Sequence, residues 1–195
     1  MSNISSDEEV EAPAEPVTAR RLVRAAEERD RLLDAAAGAV REVASAVVPR
    51  TVLLHHLLAT VLPEEVFVVR LGAVRVTSQA APSALARDPR GGDGVDRAHA
   101  WLEDGSGRVH DVAIASDLAA AALAEGEPRV EGPGRSFERS GLRFEYEELP
   151  DLEVRHLADA GPWERTALLL AATGELPPGE DLVPCPLAVG WRSAR

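Results

Sequence analysis

The chain has 195 residues, with 21 basic and 33 acidic side chains and a formal net charge of -12. That length suits a single domain, and a 45% hydrophobic share supplies a core. The acidic balance argues against a nucleic-acid or anionic-membrane partner, both of which need a basic surface. No apolar run approaches the roughly 18–20 residues of a membrane span. The single cysteine, Cys185, excludes an internal disulfide framework and any zinc site with more than one thiolate. The expectation is a soluble, cytoplasmic protein with no metal and no cofactor. All of its basic residues are arginine; there is no lysine. A GC-rich coding sequence explains this, and so would selection against side-chain amines.

Residues 1–17 carry Asp7, Glu8, Glu9, Glu11 and Glu15 with no basic residue, and the acidic opening has no secretory h-region. Such a segment buries too little to offset its chain entropy, so the reading is a disordered acidic tail followed by one domain over 18–195. From Thr18 the pattern turns helical, and Leu33, Ala36, Val40, Val43 and Val47 form one apolar stripe. That stripe suits core packing better than a coiled-coil seam, being about two heptads long. Pro49 then interrupts. A second helix is expected from about Arg50 to Leu62, apolar enough around its circumference to be buried.

The β-branched stretch 65–77 reads as a strand with a bulge or turn near Gly72. A long loop over 78–96 follows, then a hairpin, RAHAWLE–DGSG–RVHDVAIA. A short helix capped by Ser116, a Gly/Pro loop over 126–141 and a second hairpin of LRFEYEE and LEVRHL come next. A helix from Pro162 to Gly174 and a Pro-rich C-terminal segment close the chain. Helices leading into an antiparallel meander mean an α+β domain.

Chemistry concentrates in the first hairpin. A His–Asp pair acts when the carboxylate orients an imidazole base, which requires both side chains on one face of the sheet. A three-residue turn, Gly105-Ser106-Gly107 with Gly107 left-handed, pairs Asp104 with Arg108 and makes Asp111 the same-face diagonal neighbour of His99. A two- or four-residue turn would separate them. On the favoured register His99, Trp101, Val109 and Asp111 share a face, and His110 points away. His55 and His56 lie about 100° apart on their helix and cannot both face one metal. The glycine-rich stretches 91–94 and 132–135 lack the strand-to-helix context and the lysine of a phosphate loop.

The block HAWLEDGSGRVHDVAIA resembles the His-to-Asp block of the transglutaminase-like branch of the papain-like cysteine enzymes. There a histidine followed by Ala-Trp and an acidic residue begins one strand, and an aspartate ends the next. The upstream order, PRTVLLHHLLATVL then EVFVVRLGAVRV, is similar to the family's buried nucleophile helix and following strand. The resemblance spans roughly residues 45–115. It implies a papain/transglutaminase-like core, a buried helix on an antiparallel sheet behind a long N-terminal helix. It also implies a His99–Asp111 remnant dyad, with Trp101 and Glu103 as binding residues. Where the family keeps its cysteine, this chain has Val47, Val48 and Pro49, and its one cysteine comes at 185.

A thiolate at a helix N-terminus is activated and positioned there; valine and proline can do neither. The first expectation is therefore a non-catalytic domain that binds a peptide or protein partner in a remnant cleft. The first alternative is an active hydrolase or acyl transferase using Cys185 or Ser45 with the His99–Asp111 pair. The second is a structural or assembly role through the N-terminal helix.

Overall fold

A computed structural model describes residues 16–44, 46–78, 85–88, 90, 99–123, 127–149 and 166–167. Two helices open it, α1 (Pro16–Val43) and α2 (Val47–Val61). Strands β1 (Phe67–Ser78), β2 (Leu85–Arg87), β3 (His99–Asp104) and β4 (Val109–Asp111) follow, then helix α3 (Val112–Ala120) and strands β5 (Val130–Gly132), β6 (Ser136–Arg139) and β7 (Leu142–Glu148). The fold is α+β, and every strand pairing is antiparallel. No helix among the described residues is long and apolar enough to cross a membrane.

The strand order is β5-β4-β3-β1-β7-β6, with β2 also on β1. Although β5 and β6 stand at opposite ends of that order, the sheet curls until they approach. Arg139 Nη1 donates to the Glu131 carbonyl across the gap at 3.0 Å, and a side chain at Gly132 would strike the Phe137 ring. The sheet is therefore a nearly closed barrel.

Long β1 makes this possible by changing partners along its length. Phe67 to Gly72 pair with β3, while Gly72 to Ser78 pair with β7 on the other edge. Both registers run without a skipped residue, so Gly72 marks neither a bulge nor a turn. A Cβ there would stand 1.9 Å from the Glu147 carbonyl oxygen, so glycine is required by close backbone approach at the bend.

Alternation along the strands sorts side chains into two cores. Phe67, Val69, Leu71, Ala100 and Leu102 face outward against α1 and α2. Val74, Val76, Trp101, Val109, Phe144 and Tyr146 point into the barrel, where Ile114, Ala115 and Leu118 of α3 join them. Of the expected stripe Leu33, Ala36 and Val40 bury against α2, whereas Val47 belongs to α2 itself, beyond the break.

Several boundaries differ from the sequence reading. The break between the first two helices falls at 44–46, and Pro49 sits inside the first turn of α2, where a missing N–H has no intrahelical acceptor to lose. Helix α1 already includes Pro16 and Val17, while 1–15 lie outside the described residues. β2 lies within the loop expected over 78–96. The loop expected over 126–141 contains β5 and β6. Strand β6 joins β7 through the two-residue turn Ser140-Gly141, both with positive φ, the backbone such a tight hairpin demands. LEVRHL lies outside the described residues. Of the helix expected from Pro162, only Thr166 and Ala167 are described, helical and buried.

Candidate functional site: a buried histidine–aspartate centre

The β3–β4 turn sets the site. Asp104 N–H donates to the Arg108 carbonyl at 3.0 Å, Gly107 N–H donates to the Asp104 carbonyl at 2.8 Å, and Gly107 has φ 78°. This is the three-residue turn expected. Asp104 stabilises it further, its Oδ1 accepting from Ser106 N–H at 2.9 Å, Ser106 Oγ at 2.6 Å and Arg108 N–H at 3.1 Å. The resulting register pairs Leu102 with His110 and Glu103 with Val109, which puts Trp101 opposite Asp111 and His99 on its diagonal.

His99 Nε2 lies 2.5 Å from Asp111 Oδ2, with both side chains wholly buried inside the barrel. The same Oδ2 accepts from the Tyr146 hydroxyl at 3.0 Å. Asp111 Oδ1 accepts from Ala113 N–H and Ile114 N–H, each at 2.9 Å. Asp111, not Ser116, is thus the N-cap of α3, and β4 stops there. A short apolar run such as VAIA satisfies a strand or a helix equally, and the capping carboxyl decides. Ser116 falls inside the helix, its hydroxyl donating back to the Val112 carbonyl at 3.2 Å.

Aromatic rings enclose the pair. Trp101 stacks on His99 with centroids 6.3 Å apart and planes 17° apart, and Tyr146 leans on Trp101 at 5.2 Å. Burial pushes the Tyr146 hydroxyl well above its usual range, and Asp111 beside it adds to this, so the phenol stays a proton donor. With Nε2 committed to Asp111, His99 Nδ1 is buried without a hydrogen-bond partner among the described residues.

Glu103 stands next along the inner face. It accepts from Trp101 Nε1 at 3.2 Å, Arg135 Nε at 2.5 Å and Arg70 Nε at 3.0 Å. Glu148 binds the same two arginines, at 2.9 Å and 2.6 Å. Burial works to raise the Glu103 carboxyl, but the bonds from Arg135, Trp101 and Arg70 outweigh it and hold it below the usual range. All four residues singled out in the sequence, His99, Trp101, Glu103 and Asp111, therefore meet on one face.

Among the described residues, the start of α2 carries no thiol. The N-cap of α2 is Ala46, and Val47, Val48, Pro49 and Arg50 form its first turn. Thr51 carries a hydroxyl close by, but it is buried and donates to the Ala100 carbonyl at 2.9 Å, tying α2 to β3. That tie escaped sequence reading; a β-branched hydroxyl within an apolar helix was its only signal. Ser45 and Cys185 lie outside the described residues.

The opposite face of β3–β4 holds a second polar cluster, under α1. His110 points outward as its parity requires, with Nε2 3.0 Å from Asp104 Oδ2 and Nδ1 3.3 Å from Arg129 Nη1. Arg29 bridges Asp104 and Glu65, each at 2.8 Å. Burial lowers the His110 pKa and Arg129 lowers it further, against the pull of Asp104. Burial would raise Glu131, yet bonds from Arg129 and Arg108 bring it down to about 2. No group of three or more His, Cys, Asp or Glu side chains among the described residues is placed to hold a metal. His55 is engaged elsewhere, its Nε2 3.1 Å from the Phe67 carbonyl.

Comparison with protein-family models, with curated proteins and with solved structures finds no match to this chain.

Proposed function

We propose that this protein is a non-catalytic relative of the transglutaminase-like, papain-like enzymes that binds a peptide or protein partner in a remnant cleft. The observation that carries the reading is a buried His–Asp pair together with a helix α2 whose first turn holds no thiol. His99 and Asp111 meet at 2.5 Å on consecutive strands, after a buried helix and a strand, in the order that the family resemblance implies. Thr51 ties the beginning of α2 to β3 at Ala100, on the outer face of the sheet, while His99 points into the barrel. Val47, Val48 and Pro49 occupy that turn. An apolar side chain cannot attack a carbonyl, and Pro49 withholds an N–H that could otherwise face an oxyanion. The acidic net charge favours a peptide or protein partner over nucleic acid, and the lone cysteine suits the cytoplasm.

A second reading, a hydrolase or acyl transferase drawing on Cys185 or Ser45, rests on His99 Nδ1, which has no hydrogen-bond partner among the described residues. Incubation with peptide amides, esters and glutamine donors separates the two. The proposal expects no turnover above background, together with saturable binding of peptides selected from a displayed library on the full chain. Turnover abolished by both Cys185→Ser and His99→Ala would overturn it. So would turnover that survives Cys185→Ser and fails in Ser45→Ala.

A further inference from the structure

Helix α1 is held to the body in two ways. From Leu33 onward it packs apolar side chains, Leu33, Ala36, Ala37 and Val40, whereas no residue from 21 to 32 is fully buried. The turns ahead of Leu33 are held by ion pairs instead. Arg29 bridges Glu65 and Asp104, each at 2.8 Å. Asp34 Oδ1 lies 3.0 Å from Arg129 Nε, and Asp30 lies 3.8 Å from Arg129 Nη2. A stretch of that length frays without tertiary support, because isolated helices shorter than about 12–15 residues are marginal in water. Two of the anchors on the body, Asp104 and Arg129, meet at one side chain, His110.

The neighbours of His110 fix its proton. Asp104 Oδ2, 3.0 Å away, accepts, so Nε2 carries the hydrogen. An arginine only donates, so Nδ1, 3.3 Å from Arg129 Nη1, presents its lone pair. The ring is therefore neutral, and it is 1% exposed, with Phe67 of β1 edge-on to it at 5.8 Å. A second proton has one place to go. At Nδ1 it removes the bond to Arg129 and sets one cation against another.

The charges around the ring bring that proton within reach of mild acid. Asp104 of β3 and Glu131 of β5 favour it, while burial and Arg129 oppose it and keep the change below 6.5. Farther out, Asp30 and Asp34 of α1 and Glu65 stand against Arg29 and Arg108. Arg129 is carried by residues 127–129, outside helix and strand, and it has Glu131 as a further partner.

We infer that His110 is an acid-operated latch on α1: protonated at Nδ1, it drives Arg129 off Asp34 and frees the turns of α1 ahead of Leu33. The latch works on the outer face of the sheet and is independent of the His99–Asp111 centre inside the barrel and of the peptide-binding reading.

Hydrogen exchange of the full chain, expressed as protection relative to the unfolded-chain rate at each pH, tests it. From about pH 7.5 to about pH 5.5, where histidine is the side chain that changes charge, protection of residues 21–32 falls about tenfold or more. Protection in α2 and β1 changes less than about twofold over the same range. His110→Gln, which keeps a donor and an acceptor at either pH, abolishes the fall. Asp34→Asn, at an exposed side chain, gives the low protection already at the higher pH. Wild-type protection that does not change with pH overturns the inference, and so does a fall that persists in His110→Gln. A fall shared equally by α2 and β1 overturns it too, since that reports unfolding of the whole domain. If His110→Gln does not fold, Asp34→Asn decides: wild-type protection in that variant at the higher pH contradicts the latch.

Discussion

The two faces of the barrel sheet are stabilised by different physics. Outside, α1 and α2 cover the strands with Leu33, Val40, Leu54, Leu58, Val69 and Leu102, an aliphatic layer whose cohesion is non-directional and which borders the His110–Asp104 polar cluster under α1. Inside, Trp101 and Tyr146 flank a histidine and an aspartate that are both wholly buried, with Phe137 and Phe144 in the same cluster. A buried polar group is tolerable only when its bonds are made, and Asp111 makes them to three separate elements, β3 through His99, β7 through Tyr146 and α3 through its cap. The outer layer therefore supplies bulk stability, and the inner centre fixes how the strands and α3 sit relative to one another.

Substitutions that respect shape but not bonding distinguish the two regions. The largest loss is expected inside: Asp111→Ala strands His99 and Tyr146 and uncaps α3, a cost of about 4 kcal/mol in denaturant unfolding. Asp111→Asn, which keeps an oxygen for the cap, loses about half as much. Outside, Leu58→Ala leaves a cavity worth about 3 kcal/mol, while Leu58→Met, which conserves volume, costs less than about 1.5 kcal/mol. If Asp111→Asn were as benign as Leu58→Met, the contrast between the regions would fail. Tyr146→Phe removes a single donor from Asp111 and costs about 1 kcal/mol.

Acid sharpens the same contrast with the smallest effects. His110 and His55 have pKa values lowered by burial, so below 6.5 the unfolded chain takes up protons that the folded chain refuses, and stability falls as pH drops. Glu103 and Glu131 are held low in the fold, Glu131 at about 2. Their contribution is present above the ordinary carboxyl range near 4.5 and is lost as pH falls through the folded values. Stability against pH should thus fall in two steps, and His110→Gln should flatten only the upper one.

How much of this the sequence discloses depends on the range of the forces involved. The hairpin register was readable because a local feature, the spacing of Gly105 and Gly107, sets it, and with it the His99–Asp111 diagonal. The apolar stripe of α1 and the circumferential burial of α2 follow from composition at helical period. The cap of α3 was missed because VAIA fits either periodicity and its cap is the same carboxyl that pairs with His99. Tyr146 joined the centre through long-range pairing of β7 with β1, for which no local pattern exists. The Ser140-Gly141 turn was a local signal, but the short flanking strand SFER obscured it. Gly72 admits the close approach of β7 to β1, a role that appears only once Glu147 is brought against it.

His99 and Asp111 act as one structural tie. A double-mutant cycle of His99→Ala and Asp111→Ala, read by denaturant unfolding, measures that tie directly. Non-additive losses are expected, with a coupling of at least about 1.5 kcal/mol, because each single change leaves the other partner buried and unpaired. Losses that add to within about 0.5 kcal/mol, from single variants each close to wild type, would contradict it.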